Sequence, residues 1–197
     1  MQYLKDRINE LGEVKGSEIL KVDRFLNHQL DVDLLNAIGQ EFHRRFADCA
    51  VTKILTIEAS GIAIAAIAAQ YFKVPVVFAK KVPSQNLDAD TFETDVFSYT
   101  KKTTYKVRVA RKFLHPEDKV LILDDFLAQG QAAFGLMNLV SQAGADLAGV
   151  GIVIEKGFQE GGHTLRAEGV RLESLAIIDA MEAGVIRFRE QHSSKST

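Results

Sequence analysis

Val120-Leu121-Ile122-Leu123-Asp124-Asp125-Phe126-Leu127-Ala128-Gln129-Gly130-Gln131-Ala132-Ala133 is the stretch that decides how the rest of the chain is read. Four apolar residues run into two adjacent carboxylates, then a small-residue turn around Gly130, then a helical pattern. A parallel strand buried on both faces reads as an unbroken apolar run, and open α/β sheets bind ligands at the carboxyl ends of such strands. The strand therefore delivers Asp124 and Asp125 to that edge, where they can accept from two vicinal hydroxyls. Positions 128, 130 and 132 carry little bulk, so backbone N–H groups from Ala128 through Gln129, Gly130 and Gln131 to Ala132 can converge on a phosphate at the next helix. One loop would hold sugar and phosphate together. From the pattern alone, the two aspartates serve equally well as caps of that helix.

Working outward, strand and helix patterns alternate from Thr52 onward. Residues 53–57 read as a strand, 62–72 as an Ala-rich helix and 75–79 as a second strand, with further strands at 120–123 and 149–154. Short connections favour right-handed parallel crossovers, so the expected class is α/β with a doubly wound parallel sheet. Residues 94–99 and 104–110 alternate polar with β-branched or aromatic side chains around Lys101-Lys102, which predicts an antiparallel hairpin. The segment 82–92, poor in anchoring hydrophobes, is expected to be a mobile loop leading into it. Before the sheet, Leu4, Ile8 and Leu11 predict a short amphipathic helix stopped by Gly12, packed on the domain rather than on a membrane. Leu34, Ile38, Phe42 and Phe46 predict a longer one capped by Asp31 or Asp33, with His43-Arg44-Arg45 on its solvated face.

The 197 residues fit one domain, expected over residues 1–192 with a disordered tail at 193–197. A net charge of −2 with interspersed signs leaves no broad electrostatic footprint for nucleic acid or membrane, so phosphate affinity must be local. One cysteine, Cys49, excludes an internal disulfide and any multi-cysteine metal site, and its helical surroundings suggest a buried structural thiol. The five histidines, at 28, 43, 115, 163 and 192, show no metal-ligand spacing. No G-x-x-x-x-G-K-S/T loop is present, and no G-x-G-x-x-G opens a helix after a strand. The charged start, Met1 to Arg7, carries no apolar core segment, so no secretory signal is expected and the reading is cytoplasmic.

Two further groups suit phosphate chemistry. Glu58-Ala59-Ser60-Gly61 follows a strand and precedes a helix, so its backbone can bind an anion there, or Ser60 can be an ordinary cap. A serine nucleophile is disfavoured, because Glu58 stands where a nucleophile elbow needs Gly. Lys80 and Lys81 close what reads as a buried strand at the same sheet edge, either to neutralise phosphate oxygens or as a plain solvated strand end.

The stretch from Val120 to Ala133 resembles the signature of type I phosphoribosyltransferases, in which two acidic residues and a Gly-centred loop grip phosphoribosyl diphosphate (PRPP). The runs Leu20 to Gln29, Thr56 to Ile62 and Ile154-Glu155-Lys156 resemble the branch of that family that uses xanthine, and the likeness covers residues 1 to about 190. This chain departs from the general family in having Gln129 and Ala132 where threonines stand, and from the xanthine branch in having Gln129 for Asn. The resemblance implies transfer of the 5-phosphoribosyl group from PRPP to xanthine, a small N-terminal hood and a flexible β-hairpin lid offering Ser98, Tyr99, Lys101, Lys102 and Tyr105. It implies that Asp124 and Asp125 are catalytic. Residues 128–132, Ser60, Gly61 and Lys81 would bind PRPP with its diphosphate, and Leu20, Asn27 and Lys156 would bind xanthine. Lys156 would donate to the 6-oxo group, which disfavours adenine, and Asn27 offers both a donor and an acceptor. Mg2+ bound with PRPP rather than caged by protein, and a homodimer without nucleic-acid or membrane partners, complete the expectation. The same fold also serves purine-sensing regulators, but no basic recognition helix precedes this sheet.

Overall fold

The structure, a computed structural model, describes residues 1–82, 90–98, 102–182 and 184–191. Most of the loop expected at 82–92, the hairpin residues Tyr99 and Lys101, the side chain of Ser98 and the tail at 193–197 lie outside the described residues. The chain runs α1 (Gln2–Leu11), β1 (Glu13–Lys15), β2 (Ile19–Lys21), a π-helical turn (Asp23–Asn27), α2 (Val32–Arg45), β3 (Lys53–Ile57), α3 (Ser60–Phe72) and β4 (Val76–Val82). It continues with β5 (Thr91–Ser98), β6 (Thr103–Ala110), a 3-10 turn (Arg111–Phe113), β7 (Lys119–Leu127), α4 (Gln131–Gln142), β8 (Asp146–Lys156), α5 (Glu160–Ala167), β9 (Leu172–Glu182) and β10 (Val185–Phe188).

Eight strands form one sheet in the order β10-β9-β8-β7-β3-β4-β6-β5. The five from β9 to β4 are mutually parallel, and β10, β6 and β5 add antiparallel edges. Helices cover both faces, as the apolar runs require. Ile54, Leu121 and Leu123 pack with α2 and α3, while Leu55, Val120 and Ile122 pack with α4. Because successive strand residues point to opposite faces, a run of four apolar residues is what a doubly covered strand needs. Opposite one step of β7, strand β8 carries an extra residue: Val120 pairs with Leu147 and Leu121 with Gly149, leaving Ala148 as a bulge. A side chain at Gly149 would begin 2.6 Å from the Phe46 ring and 2.8 Å from the Arg171 carbonyl.

Several expectations are corrected. The expected antiparallel hairpin is present as β5 and β6 and also extends the main sheet, since β6 pairs with β4; what changes is the loop before it, because β5 begins at Thr91 with Phe92 buried. Only Ala79 of β4 is buried among residues 76–81, because this strand lies toward the edge of helix coverage. Strand β7 does not end at Leu123 but carries Asp124 and Asp125 within it. Cys49 lies in a turn beyond α2, its thiol 3.2 Å from the Arg171 guanidinium. Arg45 is not simply solvated: it pairs with Glu41 and Glu173 and donates to the Ser174 carbonyl. Gly12 follows α1 in extended conformation, and its lack of a side chain is explained by the Ile8 carbonyl, 2.4 Å from where one would begin. Asp31 does cap α2, accepting from Leu34 N–H at 3.1 Å. Among the described residues no helix is long and apolar enough to cross a membrane.

Candidate active site

The strand order reverses between β3 and β7: the chain leaves β3 for β4 on one side and β7 for β8 on the other. Crossover helices then diverge, and a crevice opens outside the carboxyl ends of these two strands. The loops bordering it are residues 58–61 after β3 and 128–130 after β7. A cleft of about 530 Å³ lies alongside, lined by Phe126, residues 127–133, Lys156 and Gln159, by Val96, Phe97 and Tyr105 of the edge hairpin, and by Glu18 and Ile19 of the β1–β2 ribbon. That volume suits a nucleotide-sized ligand.

Asp124 and Asp125 are 5% and 8% exposed, and Asp125 N–H donates to Asp124 Oδ1 at 3.0 Å. Burial, then the charge of Asp125, pushes the Asp124 carboxyl well above the usual carboxylate range, with Lys81 partly opposing. Two carboxylates crowded in a dry site cannot both hold full charge comfortably, which makes the pair receptive to hydroxyl donors and to positive charge.

The loop beyond them is built around two glycines. Gly130, at φ +85°, precedes the first turn of α4 in a conformation that side chains resist, and its carbonyl accepts from Phe134 N–H. The first-turn amides of α4, at Gln131 and Ala132, have no helical partners of their own. Against the back of the loop lies Gly161 of α5, whose N–H donates to the Ala128 carbonyl at 3.0 Å. A side chain there would begin 2.5 Å from Ala128 O and 2.6 Å from Gly130 N.

Across the crevice, Ser60 and Gly61 open α3, and the preceding Glu58–Ala59 peptide bond is cis. Glu58 accepts from the Lys81 backbone N–H, tying this loop to β4. Lys81 extends over the Tyr105 ring, 5.2 Å from its centre, and Lys80 over Phe78. A side chain on Gly61 would begin 1.9 Å from Thr56 Oγ1 and 3.3 Å from Asp124 Oδ1, so the second loop meets the acidic pair directly.

The third group divides. Lys156 ends β8 in the cleft, its ammonium donating to the Glu18 carbonyl at 2.7 Å and lying 5.9 Å from the centre of the Phe126 ring. Burial lowers its pKa. Leu20, by contrast, is turned into the core with Phe25 and Leu26, so the side chain from this ribbon that lines the cleft is its neighbour Ile19, 53% exposed. Asn27 ends the π-helical turn, exposed and outside the cleft lining. Sequence reasoning missed Ile19, Phe126 and Gln159. Period-2 alternation in β2, with Leu20 inward, is the signal that would have exposed Ile19.

Beneath the cleft, Glu155 is buried and accepts a bidentate pair from Arg166, both at 2.7 Å, and a hydrogen bond from the Ser174 hydroxyl. Gly162 leaves room for that carboxylate. A larger hollow of about 800 Å³ lies between α1 and the β9–β10 edge, bordered by Lys5, Glu182 and Arg187, and gathers none of the carboxyl-end loops. Among the described residues no group of three His, Cys, Asp or Glu side chains could hold a metal ion.

Comparison with known proteins agrees with this geometry. The family model for the phosphoribosyl transferase domain matches residues 21–165. The chain is 60% identical to a xanthine phosphoribosyltransferase of Clostridium novyi (strain NT) over 96% of its own length and all of that protein's. It is 58% identical to one of Ruminiclostridium cellulolyticum, again over 96% of this chain and all of the relative. Among solved structures, adenine phosphoribosyltransferase of Giardia lamblia complexed with 9-deazaadenine superposes with a TM-score of 0.74 at 22% identity, covering 88% of this chain and 96% of that one. The enzyme of Rhodothermus marinus gives 0.71 at 20%, covering 90% and 99%. A switch-point crevice edged by an acidic pair and a glycine-centred loop, together with this likeness along almost the whole chain, means that the chain belongs to the xanthine phosphoribosyltransferase family, with the fold of type I phosphoribosyltransferases.

Proposed function

We propose that this chain is a purine-salvage transferase that moves the 5-phosphoribosyl group of PRPP to N9 of xanthine, giving xanthosine 5′-phosphate and pyrophosphate. The observation that supports the reading is one cleft lined by the 128–132 loop and Lys156, lying directly beyond the part of β7 that carries the buried Asp124–Asp125 pair. Asp124 and Asp125 accept from the ribose hydroxyls. As the C1–O bond to pyrophosphate breaks and the bond to N9 forms, positive charge grows on the ribose ring and relieves the crowding of the two carboxylates. Residues 128–132 anchor the 5-phosphate through backbone N–H groups, an arrangement that does not depend on the side chain at Gln129. Ser60, Gly61 and Lys81 meet the departing pyrophosphate.

Lys156 donates to the 6-oxo group of the base. With three ammonium hydrogens it can keep the Glu18 carbonyl and still serve the purine. Asn27 supplies the 2-oxo contact and Leu20 contributes through its backbone, while the Ile19 side chain borders the base. The β1–β2 ribbon acts as the hood and the β5–β6 hairpin as the lid that excludes water.

Mg2+ enters with PRPP. A hydrated ion held on diphosphate oxygens needs few protein ligands. When bound it supplies charge neutralisation on the leaving group. The reading also includes a single domain over residues 1–192, a homodimer, a cytoplasmic location and no nucleic-acid or membrane partner; sedimentation would report the dimer.

The test is pyrophosphate release with PRPP and Mg2+, offering xanthine, guanine, hypoxanthine and adenine at equal concentration. Preference for xanthine is expected. Release with another purine would keep the PRPP site and discard the roles of Asn27 and Lys156, and no release with any base would favour a PRPP-binding regulator.

A second expectation follows from the packing of α5. Gly161→Ala should push the 128–130 loop off its position and raise the KM for PRPP by about tenfold, equivalent to ~1.4 kcal/mol of lost binding. The KM for xanthine should change far less. Equal rises in both would remove Gly161 from any specific support of the phosphate loop.

A further inference from the structure

Strand β3 reads Lys53-Ile54-Leu55-Thr56-Ile57, with every residue buried, and Thr56 has 0% exposure. Its hydroxyl finds no hydrogen-bond partner among the described residues. A buried hydroxyl without a partner is uncommon, because it has given up water and received nothing. Valine has the same shape and would fill the position without that penalty. Something other than packing therefore accounts for the oxygen.

Its location supplies the reason. Thr56 Oγ1 and Asp124 Oδ1 both crowd the point where a Gly61 side chain would begin, at 1.9 and 3.3 Å. The hydroxyl thus lies where the 58–61 loop and the acidic pair meet, beneath the first turn of α3. Three pieces from different parts of the chain come together there: the end of β3, the head of α3 and the middle of β7. Ser60 and Gly61 belong to the diphosphate side of the crevice, and Asp124 to the sugar side.

We propose that the Thr56 hydroxyl is a positioning group for the transfer reaction, taking the Asp124 carboxylate as its acceptor when substrate fills the crevice and so fixing the sugar side against the diphosphate side. The inference rests on the phosphoribosyl-transfer reading above. In this structure the Asp124 carboxylate accepts from Asp125 N–H, and the Thr56 hydroxyl has no partner among the described residues. Ribose hydroxyls arriving at the acidic pair draw Asp124 into its working position, and a change of Thr56 rotamer lets its hydroxyl follow. Thr56 touches no substrate, so its effect is on turnover rather than on binding.

The experiment compares wild type, Thr56→Val and Thr56→Ser in pyrophosphate release with PRPP, xanthine and Mg2+, together with thermal unfolding of each. Thr56→Val should lower kcat by about tenfold, the worth of one hydrogen bond to a charged acceptor. Both KM values should stay within threefold and Tm should be unchanged or raised. Thr56→Ser, which keeps the oxygen, should recover most of the lost kcat. A Thr56→Val protein with wild-type kcat would overturn the proposal. So would one losing kcat and several degrees of Tm together, since packing of the side chain would then be the cause. Wild type that releases no pyrophosphate with any purine would instead sink the transfer reading, and this inference with it.

Discussion

Replacing Asp125 by alanine is expected to lower kcat/KM for phosphoribosyl transfer by about 10²- to 10³-fold while leaving the protein folded. The size follows from losing a charge-assisted acceptor for a ribose hydroxyl together with negative charge near the cationic transition state. The unusual part is the stability. Asp125 is buried beside Asp124, whose carboxyl is pushed upward in pKa by burial first and by the Asp125 charge second, so replacing Asp125 takes a poorly solvated charge out of the sheet. The folded state should therefore hold or gain up to ~1 kcal/mol, the direction expected where a site is built against the stability of its scaffold. Steady-state kinetics with circular dichroism and chemical denaturation would check both parts. A folded variant with near-normal turnover would remove the acidic pair from the reaction.

The opposite pattern is expected of Arg166→Ala. Arg166 makes both of its strong contacts to Glu155, whose carboxylate is 1% exposed and whose only other described partner is the Ser174 hydroxyl. Deleting the cation strands a buried charge, at a cost of about 3 kcal/mol, the lower end for such a pair because Arg166 is itself partly solvated. For a chain of this size that is roughly 6–12 °C of Tm. Glu155 directly precedes Lys156, so the KM for the base should rise as well. The double change Glu155→Leu with Arg166→Leu should recover most of the stability, since the pair stabilises little relative to apolar residues of similar volume. Failure of the double variant to recover would assign the loss to α5 packing instead.

These two sites differ in how readily the sequence disclosed them. The acidic pair and the 128–132 loop were legible because everything that defines them is local: an apolar strand, its carboxyl end, a turn and a helix start within fourteen residues. The alternating strands and helices around them were legible for the same reason. The Glu155–Arg166 pair was not, since it joins β8 to α5, and α5 begins with Glu160-Gly161-Gly162, a poor helix former by propensity. Those glycines exist because the loop at 128–130 and the Glu155 carboxylate leave no room for side chains, a tertiary constraint that no window of sequence displays. Strands β9 and β10 went unread as well, and with them the outer partner of β8. At the base end, the Leu20 side chain points into the core and that of its neighbour Ile19 lines the cleft, an alternation that the burial of β2 displays.

That same sensitivity to a single position governs β8, through the extra residue at Ala148. Downstream of it, Glu155 falls on the inward side of the strand and Lys156 on the side that borders the cleft. The bulge is thus the origin from which odd and even are counted. Shortening or lengthening the strand by one between Ala148 and Lys156 would exchange the two, offering an acceptor to the base and burying an ammonium beside a guanidinium. Connecting loops can gain or lose residues without consequence for parity, whereas a change of one residue inside β8 reverses which of Glu155 and Lys156 borders the cleft.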